Sequence, residues 1–304
     1  DKNTSLTADF DYELNLFDQY YEEPPVYERV DAEGNPDPDG DYLYFGYYPQ
    51  SAKAYNIIIE SDSPESNGYY LGNDGEYYAQ ADDGGYYKVE RLRWRILDDN
   101  YGDGTALIVC DVIVDQVYYQ YHCMSPSGIF YATSDGKIII DNDATVGEGV
   151  DSNHRVYANN YKWSTLRKWL NEDFYDSFTE EEKASIVLTE VDNSLASTNN
   201  RGGQYVCENT NDYIFALSYS DVLNTDYGFS SSGSGDLKKV FRVTDYAEAN
   251  GVDSGNYGLL RSPSSSSSES PCYVHGGNVG AGTYYGYYVG SSIYGALPAL
   301  QIRL

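Results

Sequence analysis

The sequence predicts an α+β fold built from mixed and antiparallel short strands with a few short helices. Three observations carry the prediction. Apolar runs with β-like patterning fill the first third of the 304 residues. Capped segments with helical apolar spacing lie in the middle. From about residue 257 the chain returns to short β segments separated by Gly and Ser. Strands, then helices, then strands is the order of an α+β domain rather than of alternating βαβ units. The chain divides into an acidic N-terminal arm, residues 1–41, and a single α+β domain over 42–304.

The arm lacks periodicity and carries Pro24-Pro25 and the turn-rich Asn35-Pro36-Asp37-Pro38-Asp39-Gly40. It would lie along its own domain or reach a neighbour. Tyr42 to Tyr48 reads as a strand ending at Pro49, and Tyr55 to Glu60 as another. An Asp/Gly/Tyr loop follows to about Gly85. Tyr87 to Leu97 places Val89, Leu92, Trp94 and Ile96 in imperfect alternation. With the apolar Thr105 to Val114 it forms a hairpin across the turn Asp98 to Gly104. Lys137 to Ile140 adds a short strand. Ser164 caps a helix whose apolar stripe is Leu166, Trp169, Leu170, Phe174 and Phe178. Thr179 and Glu182 form a capping box for a second helix carrying Ala184, Ile186 and Val187. Ser218 caps a short helix to Leu223, and Thr244 opens one that Gly251 closes. Trp94, Trp169, Leu170, Phe174 and Phe215 are expected in the core.

Composition narrows the function. Thirty-five tyrosines accompany 29 glycines and a single methionine. Tyrosine offers broad contact area and a polar tip at small entropic cost, while Ser, Gly and Asn adapt around it, a palette of recognition surfaces and subunit contacts. A β-rich domain that uses tyrosine in its strands is the alternative. The net charge of −29, from 48 acids against 19 bases, repels phosphate backbones and anionic membranes. Nucleic acid is therefore excluded as a partner, and calcium is the natural counter-ion. No stretch approaches the ~20 apolar residues of a membrane span. A chain that begins at Asp1 fits a processed, secreted or cell-surface product.

Cys110, Cys123, Cys207 and Cys272 contain no C-x-x-C pair, so a zinc cage is not expected. They allow up to two disulfides in three pairings, with free buried thiols as the alternative. Asn35, Asp37, Asp39 and Asp41 follow the alternating rhythm of a calcium loop, although Gly46 stands where the bidentate glutamate would be; a proline-rich acidic turn is the competing reading. The three histidines, His122, His154 and His275, fall in no triad or metal spacing. Neither a nucleophile elbow nor a phosphate-binding Gly-rich loop is present, so no enzyme is expected.

Six short motifs occur in order. Phe45-Gly46-Tyr47-Tyr48-Pro49-Gln50-Ser51 is followed by Leu92-Arg93-Trp94-Arg95-Ile96-Leu97. Ser164 to Phe178 contains Leu166-Arg167-Lys168-Trp169-Leu170-Asn171, and Tyr213-Ile214-Phe215-Ala216-Leu217-Ser218 follows. Leu260-Arg261-Ser262-Pro263 and Gly295-Ala296-Leu297-Pro298-Ala299-Leu300 close the series. Together, from about residue 42 to 304, they resemble the bacterial family called domain of unknown function 6273. Two positions depart from its pattern: Leu297 replaces an arginine, and Gly258 and Leu259 replace an aromatic pair. The family has no established catalytic residues to carry over. Its C-terminal half resembles C-type-lectin-like folds, including domains whose variable surfaces favour Tyr, Ser, Asn, Gly and Asp. Residues 262–294 share that composition. The motifs of calcium-mediated sugar binding are missing, so the resemblance implies no sugar affinity.

The expected function is a non-enzymatic extracellular or cell-surface protein whose Tyr-rich surface mediates self-assembly, into a filament when the contact rotation does not close, or adhesion. The partner is then another copy or an extracellular protein or glycan ligand. A monomeric recognition module using the 262–294 surface is the alternative; its contact residues would be Tyr273, Tyr284, Tyr285, Tyr287, Tyr288 and Tyr294. A secreted hydrolase using a carboxylate pair ranks last. Arg261, set among apolar residues, is expected in a structural ion pair.

Overall fold

A computed structural model describes residues 26–102, 104–281 and 288–304. The first part supplies β1 (Glu28–Val30), β2 (Tyr42–Ala52), β3 (Tyr70–Leu71), β4 (Tyr77–Gln80), β5 (Tyr86–Gly102) and β6 (Thr105–Cys110). Then come β7 (Val112–Ile113), β8 (Cys123–Met124), β9 (Tyr131–Ser134) and β10 (Lys137–Ile138). The middle forms α1 (Thr165–Trp169), a π-helical turn over Leu170–Phe174, α2 (Glu180–Ser185), β11 (Ile186–Val187), β12 (Thr189–Val191), β13 (Thr210–Asp212) and β14 (Ile214–Ala216). The last part forms β15 (Arg242–Val243), α3 (Asp245–Ala249), β16 (Tyr257–Pro263), β17 (Pro271–His275), β18 (Asn278–Ala281), β19 (Tyr294–Gly295) and β20 (Pro298–Arg303).

The main sheet is antiparallel, in the order β1-β2-β5-β6-β20-β11, with the β3–β4 hairpin added to β5 and β14 added to β20. β20 is the join. One edge pairs with β6, Ala299 opposite Val109 to Arg303 opposite Thr105. Its other edge takes β14 at Pro298–Leu300 and β11 at Gln301–Ile302. A four-stranded sheet, β18-β17-β16-β19, stands beside the main one, with β16 and β19 parallel. Short strands, mostly antiparallel, with few short helices make an α+β fold.

The core forms where the motifs placed it. Trp94 is fully buried and donates its indole N–H to the carbonyl of Phe45 at 2.7 Å. Leu166, Leu170 and Phe174 pack against the same cluster, and the Phe45 and Phe178 rings lie 5.2 Å apart. Gly46 has φ +72°, and a Cβ there would come within 2.4 Å of the Phe178 ring, which explains glycine beside the aromatic. Ser164 caps α1 by accepting the Arg167 amide at 3.0 Å, and Thr179 with Glu182 completes the capping box of α2. Trp169 is only half-buried, stacked on Phe174 at 5.3 Å.

Several expectations change. β2 runs through Pro49 to Ala52, with Pro49 beside a register shift where the ladder is irregular. Tyr55 to Glu60 is no strand; one bridge joins Ile59 to Gly72, and Tyr55 and Ile58 are exposed because no sheet covers them. The described part of the acidic segment lies along its own domain: β1 pairs with β2, and Val30 is fully buried. The Asn35–Asp41 stretch does not make a calcium loop. Asn35 bonds Asp31 through both its amide (2.8 Å) and its side chain (3.0 Å), Asp37 accepts the Asp39 amide, and Asp41 is exposed. The oxygens close a turn instead of converging. Among the described residues, no group of three or more His, Cys, Asp or Glu side chains is placed to hold a metal ion.

The disulfides are not formed either; Cys110, Cys123, Cys207 and Cys272 are free. Cys110, Cys123 and Cys272 sit in three different strands, and Cys207 in the loop before β13. Cys110 and Cys207 pack in one apolar cluster and Cys272 in another. Burial pushes the thiols of Cys110 and Cys272 up to about 12 and that of Cys207 to about 11, so all three are protonated and inert.

Arg261, on β16, is buried and its guanidinium is held on several sides. It donates to the Asp221 carboxylate at 2.7 Å, to the carbonyl of Ala216 at 2.9 Å and twice to that of Asp192 at 3.2 Å. Asp221 also accepts the Ser218 amide. Burial pushes the Asp221 carboxyl up, but Arg261 and Ser218 outweigh it and hold the group below its ordinary value. A depressed carboxylate stabilises the fold above its unfolded pKa, and that stability is lost as pH falls through the folded value. Replacing Arg261 with Met leaves Asp221 uncompensated and should cost about 3–5 kcal/mol at neutral pH, with the deficit shrinking in acid. Urea unfolding at both pH values checks this; a loss under about 1 kcal/mol would mean an ordinary surface pair.

Candidate functional site

A groove of about 650 Å³ lies between α1, the β8–β9 region and the segments around β11 and β13. Its feature residue is Trp163, which ends a short turn just before the Ser164 cap and is 40% exposed. The cap fixes its position. Ser164 donates to Tyr161 and accepts from Arg167, so the turn before the helix cannot rotate freely.

Two buried carboxylates organise the walls. Asp141 accepts the Trp163 indole N–H at 2.8 Å and the Lys162 ammonium at 2.8 Å; Lys162 also pairs with Glu208 at 2.8 Å. Asp212 is wholly buried and accepts Arg167 Nε at 2.7 Å and the Thr210 hydroxyl at 2.8 Å. Asn171 ties the π-helical turn to the next strand, donating to Ile214 and accepting the Tyr213 amide at 2.8 Å. Gln120 closes the far side, accepting the Thr165 amide and donating to the His122 carbonyl. Lys168 and Glu172 stay mostly exposed at the rim, 3.7 Å apart. The groove is therefore a rigid polar trough with an aromatic wall and three basic side chains in a strongly acidic protein.

An aromatic face continues from it. The Tyr118 and Tyr121 rings lie 4.7 Å apart, and Tyr121 lies 4.6 Å from His122, which lines the groove. The Gln120 amide donates to Val289, and the Tyr288 ring lies 6.3 Å from Phe130, so the stretch after residue 287 borders the same face. Tyr121 is 55% exposed and Tyr288 41%.

The sequence-derived contact tyrosines divide sharply. Tyr288 is displayed. Tyr273 and Tyr294 are not: both are buried, their rings 5.5 Å apart in an internal cluster with Tyr257. They pack between β16, β17 and β19, where a phenol can bury its ring and still find polar partners. Tyr284, Tyr285 and Tyr287 lie outside the described residues. Tyr78, Tyr87, Tyr119, Tyr131 and Tyr161 are also core, so much of the tyrosine content builds the interior. Sequence reasoning passed over Trp163 and Tyr121. Trp163 stands three residues before Leu166, at the spacing of the apolar stripe, so spacing alone gave no signal of its exposure.

Burial pushes the Asp141 carboxyl up, but the hydrogen bonds from Lys162 and Trp163 outweigh it and hold the group below its ordinary value. The anion thus supports the wall at neutral pH, and that support is lost as pH falls through the folded value. Trp163 emission should hold steady near neutrality and shift in acid below the ordinary carboxylate range. Asp141→Asn should remove that acid step and lower stability by about 1–3 kcal/mol. Fluorescence of the Trp163→Phe variant isolates the signal; an identical acid step in Asp141→Asn would contradict the assignment.

Among the described residues no helix is long and apolar enough to cross a membrane. A family model described as Domain of unknown function (DUF6273) matches residues 135–303, which span the groove and its aromatic border. Neither a curated protein nor a solved structure matches the chain.

Proposed function

The chain belongs to the family described as Domain of unknown function (DUF6273), and from that premise we propose a non-enzymatic recognition protein of the bacterial cell surface or exterior that binds a ligand in the Trp163 groove. The observation that carries this reading is the pairing of an exposed indole with a trough whose polar side chains are already fixed by buried carboxylates. Preorganised polar groups beside an exposed aromatic favour binding, because little side-chain freedom remains to be lost. The ligand is an extended polar one, an extracellular peptide or glycan, in contact with Lys168, Glu172 and Trp163.

Hydrolysis fits this groove poorly. A general acid needs a carboxyl with a raised pKa, and Asp141 is held low and engaged with Lys162 and Trp163. The surface location rests on the acidic, tyrosine-rich composition, since the free thiols supply no disulfide argument for it. Likeness of the C-terminal half to C-type lectins is part of the same proposal and rests on the sequence resemblance.

Self-assembly is the second reading. It is favoured by the exposed apolar residues near the groove: Tyr121, Met124, Ile129, Ile140, Leu188 and Tyr288. Contact of this face with a different face of the next copy would let copies add head to tail, whereas the face meeting itself closes a dimer. A peptide and glycan array probed with wild type and with Trp163→Ala tests the first reading. Binding should appear on wild type and fall at least about tenfold in the variant, a loss of ~1.4 kcal/mol. Hits that survive Trp163→Ala would place recognition elsewhere. Sedimentation velocity separates the second reading. Mass that grows with concentration and is lost in Tyr121→Ser with Tyr288→Ser supports assembly; a monomer at all concentrations removes it.

A further inference from the structure

A second pocket, of about 370 Å³, lies between β2, α3 and the β3–β4 hairpin. Its walls include four tyrosines, Tyr48, Tyr69, Tyr70 and Tyr246, and none of its lining residues is Lys or Arg. The Tyr48 and Tyr246 rings stand 6.0 Å apart and nearly perpendicular, with an interplanar angle of 79°. Two faces meeting at a corner are the arrangement that surrounds a compact cation.

Acidic groups stand behind the corner; burial raises the Asp115 carboxyl above its ordinary value, and hydrogen bonds from Tyr48 and Asn250 act against that rise. Tyr48 donates its hydroxyl to Asp115 at 2.7 Å, and Asp115 is held in turn by the Asn250 side chain at 2.8 Å and the Gln116 amide at 2.8 Å. A phenol that donates to a carboxylate gains electron density on its ring, which strengthens attraction to a cation over its face. Asp82 approaches from the next turn, its amide bonded to Asn250, and Asp245 lies at the start of α3. Burial, with Asp115 nearby, pushes the Tyr246 phenol up to about 12, so the walls are neutral at working pH.

Elsewhere the protein covers tyrosine faces with its own cations. Arg91 lies 5.0 Å over Tyr44, Arg93 4.8 Å over Tyr42, and Arg201 5.1 Å over Tyr219. Among the described residues no such cation stands over Tyr48, Tyr69, Tyr70 or Tyr246. Neighbouring rings brace the corner: Tyr48 also packs on Trp169 at 6.4 Å and Phe174 at 5.2 Å, and Tyr246 on Tyr87 at 5.7 Å.

We propose that this tyrosine-lined pocket binds an organic ammonium group, a quaternary amine or the alkylated end of a lysine side chain, with Tyr48, Tyr69 and Tyr246 facing the cation and Asp115 as its counter-charge. This site is separate from the Trp163 groove and stands whether or not that groove binds a ligand. An anion or a neutral sugar would gain nothing from Asp115, whereas a cation gains from both the rings and the carboxylate.

Choline is the probe, and its neutral tert-butyl isostere, with carbon in place of nitrogen, is the control. Titration of the full chain by calorimetry should give saturable choline binding and at least about tenfold weaker binding of the isostere, or ~1.4 kcal/mol. Tyr69→Ala, in a surface loop, should weaken choline by a similar factor without moving the melting temperature, and Tyr69→Phe should retain it. Asp115→Asn should reduce choline binding and narrow the gap to the isostere. Equal binding of choline and isostere, or choline binding unaffected by Tyr69→Ala, would overturn the proposal. So would failure to saturate at roughly 50 mM choline, a concentration beyond the millimolar affinity that ~4 kcal/mol provides.

Discussion

The ladder on both edges of β20 is the interaction on which the rest of the structure depends. Six residues near the end of the chain, Pro298–Arg303, complete the antiparallel sheet begun by β2, β5 and β6. Ala299, Leu300 and Ile302 are wholly buried, so the strand contributes apolar area as well as backbone hydrogen bonds. Without it, β6 would present an open edge and β11 and β14 would lose their pairing partner. The sequence distances are long: Leu300 pairs with Ile108 and with Ile214. Contacts this distant in sequence carry a high loop-closure entropy and are slow to form.

The groove inherits its shape from that join. Tyr213 precedes β14, Leu188 follows β11, and Asn171 fastens the helical segment to Tyr213 and Ile214. A wall of the trough is thus hung from the outer edge of β20. Buried charge then fixes the side chains. With 48 acids and 19 bases, most acids must remain in solvent, and the bases are concentrated where an acid is inside. Asp111 takes both Arg93 and Arg95, Asp212 takes Arg167, and Asp141 takes Lys162. An interior carboxylate without such a partner would shift its pKa or unfold the site. Among the described residues, the buried charged side chains are Asp141, Glu182, Asp212, Lys239 and Arg261.

How much of this was legible in the sequence depends on how local the cause was. Caps were legible: Ser164, Thr179 with Glu182, and Thr244 all cap the helices that their spacing predicts, because a cap needs only three residues of context. Trp94 and the Arg261 ion pair were legible as well, since an aromatic in an alternating strand and a cation amid apolar residues each have few physical options. Tyr55 to Glu60 was misread because alternation describes a strand only when a neighbouring strand exists to pair it. The burial of Tyr273 and Tyr294 was not legible, because a phenol is equally at home on a surface and in a core with a polar partner. Cysteine spacing left pairing open, and three-dimensional placement decided against it. Trp163 and the tyrosine corner were not legible because each gathers residues from separate elements.

The role of the last strand can be measured amide by amide. C-terminal segments usually fray, so their amides exchange far faster than the core. Native-state hydrogen exchange of Ala299 to Ile302 should instead proceed only through global unfolding, with the same free energy as the central amides of β5 and β6. Exchange of the β20 amides some 3 kcal/mol or more easier than that of β5, about a hundredfold or greater, would show that the strand opens alone and that the sheet does not depend on it.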